Sequence, residues 1–511
     1  MSYLTRLYFL LKCIFYIALL IAIEVDASTL HLNTSSNPAR LNPLIATDSA
    51  SGEVSNFLFN ALVKYDAGGQ NIIGDLAQSY TRVSPTIIEF KLRRGVKWHD
   101  GKRFSAHDVV FTYNLITSPK IMSPYSTDFR VVKSVVALDD YTVRVTYTKP
   151  YFKALEIWMM GIVPKHILEK QTDIMGSSFN KKPIGTGPYI LKKLEFSKQI
   201  ELIANPAYFE HRPKIDTIIF HIIADPMTRF LMLKNGEIDV DGLDPMQYER
   251  QRGAGFDSRF AIVEQPSHSY TYLGFNLRLK KFQDPRVREA LSLAIDRQEL
   301  VDILFLNHGR VCTGPFLPGS RGFNENIKSP IQNLSKAKQL LKAAGYDYKH
   351  PLIFEIATSN SNAIRPYAAE ILQRQLLHVG VKVTLKVMEW QAFLNTVVMP
   401  KKFDAVLLGW GLSLTPDPYM IWHSDGDTPG GFNMVGYHSQ KTDTLIEKME
   451  NSTNPDTVAQ FQRDIFAQIV HDNPYLFLVI PNSINVYNRD IKNIKPTING
   501  IWEKYIDWEK K

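Results

Sequence analysis

Between Leu76 and Ile116 the apolar positions follow two periods in succession. Ile88, Phe90 and Leu92 alternate with Glu89 and Lys91, the spacing of a half-buried strand, after Pro85 has closed off any preceding helix. Asp100-Gly101 turns the chain, and Ser105 with Asp108 three residues on forms a variant capping box that starts a helix at Ala106. Val109, Tyr113 and Ile116, with Val110 beside them, make its inward stripe and leave His107 and Asn114 to water.

The same reading extends along the chain. Thr29 to Leu32 predict a short strand, and Val54, Phe57, Leu58 and Ala61 a helix. Residues 137–148 form a hairpin about Asp139-Asp140, and Gly161 to His166 a strand entering a helix. Gly185 and Gly187 mark a tight turn, not a phosphate loop, because no helix start follows them. Residues 205–240 read as strand-rich. Beyond Asn276 helices dominate: Pro285 starts one behind Asp284, with Val287, Leu291 and Ala294 on one face, and another runs over 336–345. Strand 353–357, helix 366–377 and strand 381–387 give the alternation of an α/β domain.

The amino terminus carries Arg6 and Lys12, then apolar residues from Cys13 to Ile23, then Val25-Asp26-Ala27. That run is shorter than the roughly 20 residues of a membrane span and reads as a secretory signal peptide, residues 1–27, cleaved after Ala27. No lipid-attachment cysteine follows it, so the mature protein is expected free in a periplasm, with Cys312 its sole thiol and no internal disulfide. Its length exceeds what one core serves, so two or three domains are expected. The 59 Lys and Arg against 51 Asp and Glu, net +8, are spread along the chain. No basic stripe points to nucleic acid.

The Lys/Arg turn, the His99-Asp100-Gly101 turn and the run Phe104-Ser-Ala-His-Asp-Val-Val-Phe111 resemble the family 5 solute-binding proteins of ABC importers, the peptide-binding type, and the resemblance spans nearly all of the mature chain. It implies a periplasmic-binding-protein fold, two α/β lobes joined by a hinge plus an inserted third domain. Matching positions assign 28–53 with 180–268 and 486–511 to lobe one, 54–179 to the inserted domain and 269–485 to lobe two. Two crossings then join the lobes and leave a cleft that closes on ligand. The partners implied are a peptide and an inner-membrane ABC permease with its ATPase, the protein acting as a monomer.

In that family the loop holding Thr47, Asp48 and Ser49 lines one cleft wall, and Tyr125 reaches into it; the bland reading is a helix-capping loop and a surface tyrosine. Tyr272 is also counted among the cleft residues. Across the cleft the short strand 405–408 leads into Gly409-Trp410-Gly411, whose glycines let a ligand backbone pair with the strand's end while Trp410 and Trp390 wall its side chains. Many relatives hold the ligand amine with an aspartate three residues after this tryptophan. Here that residue is Ser413, and the nearest carboxylate is Asp417, which either reaches the same point or orders its turn. The positions that bind a ligand carboxylate in short-peptide relatives are Val397 and Leu407, neither able to pair with an anion. Lys401 and Lys402 are expected to face solvent, so the cleft is expected not to depend on a free carboxyl terminus.

Other chemistries lack residues. No G-x-S-x-G, H-E-x-x-H or catalytic-cysteine pattern occurs, so no enzyme is expected, and no cofactor is implied. Gly95 to Lys102 fails as a phosphate loop, with five residues between its glycines and Arg103 where Ser or Thr belongs. His99-Asp100 and His107-Asp108 fall on a turn and a helix, and no metal site is assigned to them. The rival reading is the same fold binding nickel, haem or an oligosaccharide.

Overall fold

The computed structural model describes residues 28–510 except Thr47, Gln70, Met122, Pro124, Ser361, Ala363, Leu414, Pro429, Gly430 and Asn499. The signal-peptide reading of residues 1–27 lies outside the described residues. None of the described helices is long and apolar enough to cross a membrane.

The chain is mixed α/β, and three sheets carry it. In the first, Thr29–Thr34 runs parallel to Thr217–Ile222, which pairs antiparallel with Gln199–Ala204 and through it with Tyr189–Glu195. The second is an antiparallel sheet of Ala77–Ser84, Ile87–Leu92, Thr142–Tyr147 and Val132–Asp139. Ile88 and Phe90 are fully buried there, as their alternation predicts, and the helix Ala106–Ile116 packs on the sheet. Asp108 accepts the Ser105 backbone N–H at 2.9 Å, so the helix start follows from a local bond.

The third sheet has eight strands and is organised by its longest, Tyr475–Asn488. The first half of that strand pairs with Ser269–Phe275 and Gly309–Val311, its second half with Val240–Leu243 and Phe260–Pro266. Leu476, Leu478 and Val479 accordingly belong to one core, with Leu273, Phe354 and Leu372, whereas Ile484 and Val486 pack with Phe230, Leu233 and Phe260 in another. One strand thus serves two bodies, and the chain crosses between them at Pro266–Ser269 and again at Pro481-Asn482.

Some elements differ from the sequence reading. The helix Ser49–Leu58 ends before Ala61, because the chain turns extended at Phe59 and the Leu58 carbonyl accepts the Gly187 N–H at 2.9 Å. A Cβ on Gly185 would lie 1.7 Å from that carbonyl oxygen. Both glycines are therefore required by close approach, not by a left-handed turn. Residues 161–164 form no strand: the Ile162 N–H goes to the Asn60 carbonyl and the Val163 N–H to the Thr112 hydroxyl. The segment read as strand-rich contains the helix Pro226–Asn235, begun by Asp225 and stopped by Gly236 at φ +81°.

Candidate functional site

The strand Ala405–Gly411 is longer than its apolar run, and Gly409, Trp410 and Gly411 lie within it, opposite Thr271, Tyr270 and Ser269. The Leu412 N–H donates to the His268 carbonyl at 2.8 Å, which fixes the phase of this antiparallel ladder. Even-numbered residues turn their backbone groups to the partner strand and odd-numbered ones away. Leu407 agrees, since its carbonyl accepts the Thr358 hydroxyl at 2.9 Å on the far side. On that side the strand Ile353–Ser359 pairs only with Ala405 and Val406. Among the described residues, the outward amides and carbonyls of Gly409 and Gly411 thus form an open edge, with no side chains of their own to cover it.

Arg365, near the start of the helix Ile364–Leu377, lies over this edge, its Nη2 2.9 Å from where a Cβ on Gly409 would sit. The guanidinium is half-buried, its Nε has no hydrogen-bond partner, and among the described residues it makes no ion pair. Burial lowers its pKa, opposed only by Tyr272. A cavity of about 160 Å³ opens beside it, lined also by Thr271, Asn362 and Gly411.

Trp410 points to the opposite face of the sheet. Its ring is parallel to Tyr272 at 6.4 Å and edge-on to Phe432 at 5.9 Å. Phe432 lines a second cavity, of about 560 Å³, together with Asp417, Asp128, Lys153 and Glu156. Burial raises the Asp128 and Glu156 carboxyls, and the charge of Asp417 raises both further. The cavity lies where the four-stranded antiparallel domain meets the body around 269–481: Arg130 and Lys149 reach Glu450 at 3.5 and 3.3 Å, and Tyr65 donates to Thr415 at 3.1 Å. Here Asp128, Glu156, Asp417 and Glu450 face Arg130, Lys149 and Lys153. With all groups ionised, the carboxylates exceed the cations by one, an electrostatic invitation to one ammonium.

The sequence model for bacterial extracellular solute-binding proteins, family 5 Middle, matches residues 71–432. The chain belongs to this family. Family 5 relatives cover nearly all of it. Oligopeptide-binding protein AppA of Bacillus subtilis is 32% identical over 465 residues, 87% of this chain and 85% of the relative. The solved structure of Bacillus subtilis AppA in complex with a nonapeptide is 30% identical with a TM-score of 0.78, covering 94% of this chain and 99% of that one. That of NikZ from Campylobacter jejuni in complex with Ni(L-His) is 29% identical with a TM-score of 0.80, covering 96% and 100%.

In this family 5 protein the residues singled out by sequence fall into separate groups. Gly409, Trp410 and Gly411 share the open edge, and Trp410 connects through Phe432 to the Asp417 cavity. Ser413 is exposed on the loop between them. Asp417 also orders its turn, accepting the Tyr419 N–H at 2.9 Å. Asp48 caps the helix Ser49–Leu58, accepting from the Ser51 N–H at 2.8 Å and its hydroxyl at 2.6 Å; Ser49 is exposed, and Thr47 lies outside the described residues. The Tyr125 hydroxyl donates to the Ala46 carbonyl at 2.6 Å, so Tyr125 packs on this loop.

Two expectations need correction. Tyr272 is 0% exposed, stacked at 3.9 Å on Tyr475, and so backs Trp410 without lining the cleft itself. The other concerns Lys401, whereas Trp390 is partly buried and packs on Phe393. Lys401 does not face solvent: its side chain is 12% exposed and pairs with Asp427 at 2.7 Å, where Arg278 and His438 also converge. Val397 and Leu407 are buried in cores. His99, its pKa lowered to about 4 by burial, bonds the backbone of Gly185 and Gly187, far in role from His107, which meets Asp140 on the surface.

Arg365 is the residue the sequence reading missed. Its signal was faint: an arginine opening a helix with Ala368 and Ala369, not acids, at the positions three and four residues on that would pair with it.

Proposed function

We propose that the protein is the periplasmic substrate-binding component of an ABC importer, capturing peptides in an interlobe cleft and delivering them to a membrane permease and its ATPase without turning them over. The observation that carries this reading is the open glycine edge at Gly409 and Gly411 with a guanidinium above it that is unpaired among the described residues. An extended peptide adds to such an edge through its main chain, irrespective of sequence. Arg365 then receives a ligand carboxylate, and the Asp417 cavity, with its excess carboxylate, an amine. This replaces the expectation of a cleft indifferent to a free carboxyl terminus. The names of AppA and its nonapeptide complex favour a peptide longer than two or three residues.

In this reading 28–53 with 180–268 and 486–511 form lobe one, 54–179 the inserted domain and 269–485 lobe two. The leader ends at Ala27, no lipid anchor follows, and the exported chain works as a monomer. Mass spectrometry of ligand released from freshly purified protein tests the function, together with thermal shift. A peptide at 100 times its dissociation constant adds about 2.7 kcal/mol of stability. If Ni(L-His) or haem shifts the melting temperature and no peptide does, the reading falls.

A further inference from the structure

The crossing between the two bodies holds a charged contact that ligand binding does not require. His308 sits between the helix Arg297–Phe305 and the strand Gly309–Val311, in the body around 269–481. Leu306 and Asn307 precede it at φ +50° and +67°, a left-handed pair that non-glycine residues rarely adopt and that turns the imidazole out of the helix end. Its ring reaches the other body twice. Nδ1 lies 2.9 Å from Glu264 Oε1, on the strand Phe260–Pro266, and Nε2 lies 2.9 Å from Glu249 Oε1, on the helix Pro245–Gln251. Both contacts stand beside the crossing. The His308 carbonyl accepts the Asn482 N–H at 3.0 Å, and the Asn482 amide donates to Glu264 at 2.6 Å.

We infer that His308 is a protonation-dependent tie across the hinge, holding the two lobes in their present orientation when charged and loosening them when neutral. An imidazolium donates from both ring nitrogens, so both carboxylates are satisfied at once. A neutral imidazole donates from one only, and its other nitrogen turns a lone pair on a carboxylate oxygen. Deprotonation therefore replaces one bridge between lobes by a repulsion. The side chain is 10% exposed, so little water is at hand to bridge the broken contact.

The surrounding charges agree. Besides Glu249 and Glu264, the ring faces Tyr248 edge-on at 5.2 Å, and beyond Tyr248 lies Asp257. Arg252 pairs with Glu249 at 3.0 Å and takes up part of its charge, leaving Glu264, whose partners among the described residues are His308 and the neutral Asn482, as the fuller counter-ion. Burial pulls the His308 pKa down, but the bonds and charges of Glu264 and Glu249 outweigh it and leave the pKa above 6.5. A pKa raised in the tied state means the tie is fully formed below pH 6.5 and is lost as pH rises through the higher value.

The test needs no ligand. Cysteines replacing Lys198 and Tyr348, one in each lobe and both exposed, carry a fluorophore pair, while the buried Cys312 stays unlabelled. Energy transfer in the ligand-free protein is followed from pH 5 to 9. The wild type is expected to show one transition with a one-proton slope and a midpoint above 6.5. His308→Gln, which keeps a donor but cannot titrate, abolishes it. Glu249→Gln, which spares the imidazole, moves the midpoint down by about one unit. His268, the histidine within the crossing, bonds the Ile498 carbonyl and is untouched by either change. A transition that persists in His308→Gln, or an energy transfer flat across pH in the wild type, overturns the proposal. So does a His308 ring titration by NMR in the wild-type protein at or below 6.5, which decides the matter even if His308→Gln does not fold.

Discussion

Replacing Arg365 with methionine separates a ligand anchor from a structural arginine. Methionine keeps the unbranched stem that lies over Gly409 and removes only the guanidinium. In the ligand-free protein that guanidinium is half-buried with no hydrogen bond or ion pair among the described residues, and burial already disfavours its charge. Removing it should leave stability unchanged or slightly raised, because an unpaired charge withdrawn from water is a cost to the folded state. Binding should behave oppositely. A hydrogen bond to a charged group is worth about 1.5–3 kcal/mol, so Arg365→Met should weaken a peptide with a free carboxyl terminus by about 2 kcal/mol, roughly 30-fold. The carboxyl-amidated form of that peptide should bind wild type and variant alike. Calorimetry on the four combinations gives the coupling directly, and about 2 kcal/mol is expected. A coupling near zero, or a ligand-free melting temperature several degrees lower in the variant, would refute the assignment and return Arg365 to the scaffold.

The remaining predictions concern the other end of the ligand and the wall behind it. Asp417→Asn keeps an acceptor for the Tyr419 N–H but loses the charge, so urea unfolding should change by no more than about 0.5 kcal/mol. Affinity for a peptide with a free amine should fall by about 3 kcal/mol in calorimetry, and an amino-acetylated peptide should show no such difference. Gly185→Ala drives a Cβ into the Leu58 carbonyl and should cost about 3 kcal/mol or more in urea denaturation; a loss below about 1 kcal/mol would mean the turn can move away.

How far the sequence revealed these features depended on how far away their causes lie. The strand Ile87–Leu92, the helix begun by Asp284 and the helix stopped by Gly345 at φ +91° are set by neighbours within a turn, and periodicity with capping finds them. The end of the strand Ala405–Gly411 is different. Two of its last three residues are glycines, poor strand formers, and all three are held in the ladder by Ser269 to Thr271, some 140 residues earlier. Tyr272 was misjudged for the same reason, since Tyr475 covers it from the far end of the chain.

The two cations near the cleft make the point most sharply. Lys401 and Arg365 give little hint of their difference in sequence, both being basic residues beside apolar segments, Lys401 with a second lysine, Lys402, after it. Lys401, at φ +58°, is turned back so that its ammonium meets Asp427, where Arg278 and His438 also bind. Burial would raise the Asp427 carboxyl, but hydrogen bonds from Lys401, Arg278 and His438 and the charge of Arg278 hold it far below the ordinary carboxylate range, and the group is satisfied within the fold. Among the described residues Arg365 meets no such acid. A satisfied charge contributes to the scaffold, whereas an unsatisfied one retains an attraction for whatever anion enters. Pairing, and not residue type, therefore separates scaffold from site, and pairing depends on partners 26 residues away in one case and absent in the other. The open edge beside Arg365 gives that residual attraction an address: a carboxylate arriving on a chain that is itself adding to Gly409 and Gly411 is delivered to the guanidinium by the same main-chain bonds that hold it. Main chain and charge then reinforce each other, which is why the free and amidated peptides should differ in the wild type and agree once Arg365 is gone.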